Sequence, residues 1–178
     1  MHTALHEYRS VRRVAERLRK RSANGTSGIQ IIPYAESFRD QVASAAEEMH
    51  RNSIYHNMPL DRDKVVRQLA ACGNIVPDRY FRIAVRGDRL LGGFYGKVQQ
   101  AFFSDDLVAS DMGWWVLQND RFSATAILLL ADFEEWARLM GARKVMVGQS
   151  TGVDILRTTK LYQHCGYQII GFNTTKDL

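Results

Sequence analysis

Two cysteines in 178 residues, Cys72 and Cys165, cannot build a disulfide framework, nor the paired ligands at short spacing that a structural zinc site needs. A reducing, cytoplasmic setting is the simpler expectation. Long apolar runs are also missing. The longest, residues 124–131, falls far short of the roughly 20 residues a membrane-spanning helix requires, so it reads as a buried helix and no membrane span is expected. No internal repeat is visible, and no aromatic-basic repeat marks a platform for single-stranded nucleic acid. His50, His56 and His164 lack metal-ligand spacing and have no Ser or Cys nucleophile partner in recognisable register. No metal is expected, and these histidines read as surface or loop residues.

An excess of charge is missing from most of the chain. The net +5 lies within residues 1–21, where Arg9, Arg12, Arg13, Arg17, Arg19, Lys20 and Arg21 face only Glu7 and Glu16. The remainder carries 17 basic and 17 acidic residues. Leu5, Tyr8, Val11, Val14, Ala15 and Leu18 recur at spacings of three and four, which predicts a basic amphipathic helix. Small residues over 22–28 then read as a linker. The division is therefore 1–28, a basic extension and linker, and 29–178, one domain with a sizeable core. The extension admits three readings: a surface or oligomer-contact helix, nonspecific charge binding to nucleic acid or an anionic membrane surface, or a targeting segment.

What is present is a strand running directly into a helix. Gly113-Trp114-Trp115-Val116-Leu117 passes through Gln118-Asn119-Asp120 into Arg121-Phe122-Ser123-Ala124-Thr125-Ala126 and an apolar helix beyond. The first amides of a helix have no partner within it, and the helix dipole adds about half a positive charge there. Such a junction cradles phosphate. Upstream, the pattern predicts a strand over 29–32, a helix over 37–50, and a second helix capped by Asp61 with Val65, Leu69 and Ala70 on its apolar side. Alternation over 81–86 and Gly87-Asp88 predict a hairpin into a strand over 90–99. A turn around Ser104-Asp105-Asp106 should lead to a strand over 107–117. The helix after the cradle sets Ala126, Leu129, Leu130, Phe133, Trp136, Ala137 and Met140 at helical spacing, with Asp132, Glu135 and Arg138 opposite and Gly141 as its stop. A buried strand over 144–148, a helix over 153–165 and a last strand over 167–172 complete the order. The final strand, helix, strand crossover implies a parallel pair in an otherwise antiparallel sheet.

This order resembles the GNAT superfamily of acyl-CoA-dependent N-acyltransferases over residues 29–178. Arg121-Phe122-Ser123-Ala124-Thr125-Ala126 fills the frame of the family loop, Gln or Arg, two residues, Gly, one residue, Gly or Ala, with Ala in both small places. Phe133-Glu134-Glu135-Trp136-Ala137 follows in register, and Leu161-Tyr162 with Gly166-Tyr167 is similar to the family's closing motif. The wording also resembles GNAT proteins of tailed phages. The resemblance implies an α/β (α+β) fold with a mixed central sheet of six to seven strands flanked by about four helices, besides the basic N-terminal helix. It implies acetyl transfer from acetyl-CoA to a primary amine, on a small molecule or a macromolecule, by direct transfer.

By the same resemblance, the backbone of Val116 and Gln118 would bind the pantetheine arm, and the loop from Arg121 through Phe122, Ser123, Ala124 and Thr125 to Ala126 would hold the pyrophosphate. Ala in place of Gly is tolerated if the loop is ordinary helical backbone, but weakens binding if it needs positive φ. Tyr162 matches the tyrosine that gives a proton or hydrogen bond to the departing sulfur; a core aromatic is its other reading. Asp111 is the candidate general base, set by strand alternation with Gly113 and Trp115, or else a solvated strand-end carboxylate. A base matters because an amine of pKa about 10.4 is neutral in roughly one molecule in 2,500 at pH 7. Glu47, Glu48, Asp105 and Asp106 either line the acceptor side or form an exposed acidic face and turn. Ile155 stands where relatives often carry an Asn contacting CoA, and Cys165 reads as packing. The rival reading is a non-catalytic GNAT-fold protein that binds nucleic acid or a protein partner, its CoA loop decayed. A homodimer is compatible with the fold.

Overall fold

Alternating Phe81, Ile83 and Val85 against Tyr80, Arg82 and Ala84 gives β2 (Arg79–Arg86) two distinct faces, and Gly87 at φ 57° makes the tight turn into β3 (Arg89–Ala101). Around this hairpin the computed structural model, which describes residues 28–74, 77–121, 123–171 and 173–176 together with Arg12, Ala15 and Glu16, builds one five-stranded sheet. Its order is β1 (Gln30–Pro33), β2, β3, β4 (Ser104–Val116) and β5 (Ala142–Met146). The first three pairs are antiparallel and β4–β5 is parallel.

Helices cover both faces. On one, α1 (Arg39–Arg51) and α2 (Arg62–Asn74) lie over a core of Val42, Ala45, Phe81, Ile83, Val85 and Leu90, with Trp115 against it. Asp61 caps α2 as expected, its Oδ1 accepting the Lys64 N–H at 2.9 Å. On the other face, α3 (Thr125–Leu139) buries Leu129, Leu130, Phe133 and Ala137 against Tyr80, Phe94 and Ala109, and α4 (Ile155–His164) adds Tyr162. Gly141, at φ 80°, ends the α3 segment. Asp132 is not on the far side of α3 but turned to the sheet, where it accepts from the Tyr80 hydroxyl at 2.7 Å and pairs with Arg82 at 3.1 Å.

Two glycines of β3 are there for close approach. A Cβ on Gly93 would come within 2.6 Å of the Trp115 ring, and one on Gly96 within 2.5 Å of Phe133 Cε2. Phe133 stacks on Phe94 with centroids 4.3 Å apart, so Gly96 is what lets α3 settle onto the sheet.

Several expectations are corrected. The sheet has five strands among the described residues, not six or seven, because 167–171 form no strand; Phe172 lies outside them. Ile169 and Ile170 are accordingly exposed, and β5 is an edge strand rather than a buried one. It also stops at Met146 instead of running to Gly148. The parallel pair arises one unit earlier than expected, at β4–β5, with α3 as its crossover. The β3–β4 turn is Phe102-Phe103, since Ala101 already pairs with Ser104; Ser104 Oγ instead accepts from the Asp106 N–H inside the strand. Of the basic N-terminal helix, Arg12, Ala15 and Glu16 are helical, with Arg12 and Glu16 paired at 3.0 Å; the rest of that expectation lies outside the described residues.

Candidate active site

Parallel pairing of β4 with β5 runs from Leu107 opposite Ala142 to Ser110 opposite Met146 and ends there. Beyond Ser110 the two strands part, and β4 continues to Val116 held only by β3. Leu117 donates its N–H to the Leu91 carbonyl at 2.9 Å, so by strand alternation the backbone groups of Val116 and Trp114 face the opposite, uncovered edge. This opening is the heart of a cleft of about 690 Å³, bounded by α1, the α1–α2 loop, β4 from Asp111 to Leu117, the start of α3, residues 148–154 and α4.

A β-bulge decides where Asp111 points. Tyr95 pairs with Gly113 and Gly96 with Asp111, leaving Met112 as the extra residue of β4. The alternation that would have set Asp111 with Gly113 and Trp115 is therefore broken. Asp111 instead shares a face with Ala109 and Trp114, opposite Gly96, at the vertex where the strands part. There its Oδ1 accepts the Gly148 N–H at 2.9 Å. Burial pushes its carboxyl up to about 6, against the pull of the Gly148 amide.

Tyr162 reaches the same residue from α4. Its hydroxyl donates to the Gly148 carbonyl at 2.9 Å and accepts the Trp114 Nε1–H at 2.9 Å. Burial raises its pKa well above the ordinary phenol value; the Trp114 hydrogen bond works the other way, and the Asp111 charge adds to the rise. Asp111 and Tyr162, 51 positions apart in sequence, thus converge on one peptide residue. The ring is a buried member of the core, as the packing reading expects, and its hydroxyl shares Gly148 with the Asp111 carboxylate.

The strand-to-helix junction forms as expected. Asp120 is buried and held by a forked pair from Arg89, 2.8 Å at each oxygen, which anchors the 3₁₀ turn Gln118–Asp120 to the start of β3. Ser123 Oγ donates to the Asp120 carbonyl at 2.6 Å, accepts the Thr125 N–H at 3.2 Å and lies 2.7 Å from Thr125 Oγ1. Both hydroxyls are thereby engaged with each other, and Ser123 Oγ takes the first amide of α3. Ala124 has φ −69° and ψ −6°, Ala126 lies within α3, and neither has positive φ. Alanine in the two small places is therefore conformationally unstrained. Phe122 lies outside the described residues. Arg121, Ser123, Ala126 and Ile127 line the cleft, as do Arg157 and Asp154 from the α4 side. Arg121 pairs with Asp154 at 3.2 Å, and Arg157 donates to the Arg121 carbonyl at 2.5 Å. The Gln118 N–H is directed to Glu48 Oε1 at 3.4 Å.

On the α1 side, Glu48 lines the cleft, while Glu47 pairs with Arg62 at 3.2 Å and Asp106 with Arg143 at 2.7 Å, both away from it; Asp105 does not line it either. His50 is half-buried and lines the cleft. Sequence reasoning missed Gly148, Trp114 and Arg157. Gly148 and Arg157 carry no spacing signal, and Trp114 read simply as a strand aromatic. Among the described residues no His, Cys, Asp and Glu group could hold a metal ion, and no helix is long and apolar enough to cross a membrane.

No family model matches the chain, and no curated protein matches its sequence. Solved structures do. A glucosamine-6-phosphate N-acetyltransferase from Arabidopsis thaliana superposes with a TM-score of 0.65 at 11% identity, covering 85% of this chain and 99% of that one. A GNAT family acetyltransferase from Staphylococcus aureus gives 0.58 at 13%, covering 85% and 100%. An aminoglycoside acetyltransferase from an uncultured soil metagenomic sample gives 0.60 at 16%, covering 84% and 97%. Together with the parted β4–β5 pair and the helix start beside it, these matches establish that the chain has the GNAT fold.

Proposed function

We propose that this chain transfers an acetyl group from acetyl-CoA to a primary amine by direct attack. The observation that carries the reading is the uncovered edge of β4 beyond Ser110, opening into a cleft that reaches the start of α3. An extended amide-bearing arm can add to that edge as a strand does, through the outward backbone groups at Trp114 and Val116. The pyrophosphate would lie at the amides of the first turn of α3, beside Arg121 and Arg157. Gln118 is the weaker pantetheine contact, because its N–H already faces Glu48.

The amine enters from the α1 side and attacks the thioester carbonyl. A C–N bond forms, the ammonium proton of the adduct passes to Asp111, and the C–S bond breaks. Burial lifts Asp111 into a range where it is ionised at neutral pH yet basic enough to take that proton. The Tyr162 hydroxyl turns from the Gly148 carbonyl to donate a hydrogen bond to the departing sulfur, and the proton taken up by Asp111 passes on to the thiolate, which leaves both side chains as they began. The Trp114 N–H stays on the phenol oxygen and holds it in place. Structural neighbours include enzymes for an amino sugar phosphate and for aminoglycosides, which supports an amine acceptor.

The test is thiol release from acetyl-CoA in the presence of amines, comparing the natural chain with Asp111→Asn. Amine-dependent release that falls by about 10²–10⁴-fold in the variant is expected. Release that ignores the amine, or survives the substitution, overturns the reading.

A further inference from the structure

The acceptor half of the cleft has a chemistry of its own. Its walls are α1, the α1–α2 loop and α2 on one side and the bulged part of β4 on the other, and its apolar lining is Met49, Tyr55, Leu60, Val65, Met112 and Trp115. Tyr55 and Met112 remain 40% and 48% exposed, so the apolar surface reaches the mouth. Among the described residues no lysine or arginine lines this half. The two arginines of the cleft, Arg121 and Arg157, both sit at the α3–α4 end, and Arg62 of α2 is taken by Glu47 and Asp40. What remains charged here is acidic. Glu48 pairs with no cation among the described residues and accepts one long hydrogen bond at 3.4 Å, and Asp111 closes the inner end.

The neutral polar side chains of this half are few, namely His50, Asn52, Ser53 and Tyr55, and two of them are engaged within the wall, while Trp115 Nε1 is buried without a partner among the described residues. Asn52 Nδ2 donates to the Glu48 carbonyl at 2.9 Å, and the Ser53 hydroxyl donates to the His50 carbonyl at 2.8 Å while accepting the Tyr55 N–H at 3.1 Å. Gln149, across the opening, donates to the Val153 carbonyl. A sugar amine needs a set of free donors and acceptors for its hydroxyls, and a phosphorylated amine needs a cation. A phosphate or a row of hydroxyls finds few such groups here and would lose water against a mostly apolar wall. A hydrocarbon or aromatic body matches that wall, and its ammonium head meets Glu48 and Asp111.

From this partition, and resting on the transfer reaction proposed above, we infer that the acceptor is a monocationic primary amine on an apolar body, of the arylalkylamine or long alkylamine class. Phosphorylated and polyhydroxylated amines are disfavoured by the same walls. The class differs from the acceptors of the amino sugar and aminoglycoside enzymes that share the fold.

Trp115 forms part of the wall, so binding is read from tryptophan fluorescence of the full chain titrated with 2-phenylethylamine, 2-phenylethanol and glucosamine 6-phosphate, without any acyl donor. 2-Phenylethylamine should bind at least about tenfold more tightly than either, the equivalent of ~1.4 kcal/mol. Glu48→Gln should bring the amine down to the level of the alcohol. Glucosamine 6-phosphate binding as tightly as the arylalkylamine overturns the inference, as does an alcohol equal to the amine in the natural chain. The readout needs no CoA, so a failure of acetyl-CoA to bind counts against the transfer reaction and leaves this result standing or falling by itself.

Discussion

Gly148 has both of its backbone groups claimed by side chains from elsewhere, the N–H by Asp111 and the carbonyl by Tyr162. It follows Met146, where β5 leaves the ladder, so these bonds replace the strand partners it lacks. For Asp111 the sign of the pH effect follows from its raised value. Burial favours the neutral carboxyl, so this group's contribution to stability is full below its ordinary 3.8 and is lost as pH rises through about 6. Asp111→Asn should therefore raise Tm at pH 7 by a few degrees, about 2–4 °C per kcal/mol in a chain of this size, while lowering turnover by about 10²–10⁴-fold. If the chain carries out the proposed transfer, its kcat/KM should rise with pH through about 6 and then level, and the variant should lose that limb. A pH–rate profile with no inflection there would remove Asp111 as the base. Tyr162→Phe strands the Trp114 N–H in the core and should cost about 1–3 kcal/mol in chemical denaturation, with the loss shrinking when Trp114→Phe is added. Asp111 and Tyr162 were both legible as candidates because the residue types and their order along the chain carry the pattern. Their meeting point was not, since a bulge at Met112 adds one residue to β4 without any mark in the hydrophobic alternation.

At the scale of elements, the strand-to-helix junction was readable because small residues separate an apolar strand from an apolar helix. Whether alanine fits there was open until the dihedral angles were known. With Ala124 and Ala126 free of positive φ, restoring glycine offers no gain. Ala126→Gly should leave acetyl-CoA affinity unchanged and cost about 0.5–1 kcal/mol of stability. Tighter cofactor binding in that variant would show that the Cβ stands in the ligand's way. The glycines of β3 behave in the opposite manner. Gly96→Ala drives a Cβ into Phe133, and against the Ser110 carbonyl at 2.9 Å, so it should destabilise by about 1–3 kcal/mol by unseating α3. The last strand was misread because Tyr167-Gln168-Ile169-Ile170 has the residue types of a strand, while strand formation also requires a ladder partner. No pattern within a single segment reports one.

Across the whole molecule, charge and function separate. The excess positive charge lies in residues 1–21 and the domain that holds the cleft is balanced, so removing residues 1–28 should abolish retention on a heparin column while leaving turnover on a small amine intact. Retention that persists would place the basic surface on the domain itself. The remaining question at this scale is whether the parted strands, the start of α3 and the two arginines act together as one ligand site. Calorimetric titration of the full chain with acetyl-CoA, with CoA and ADP as controls, tests this most directly. The account predicts micromolar binding that requires the pantetheine arm and is much weaker for ADP. No measurable heat at millimolar acetyl-CoA, or ADP binding as tightly as acetyl-CoA, would contradict it.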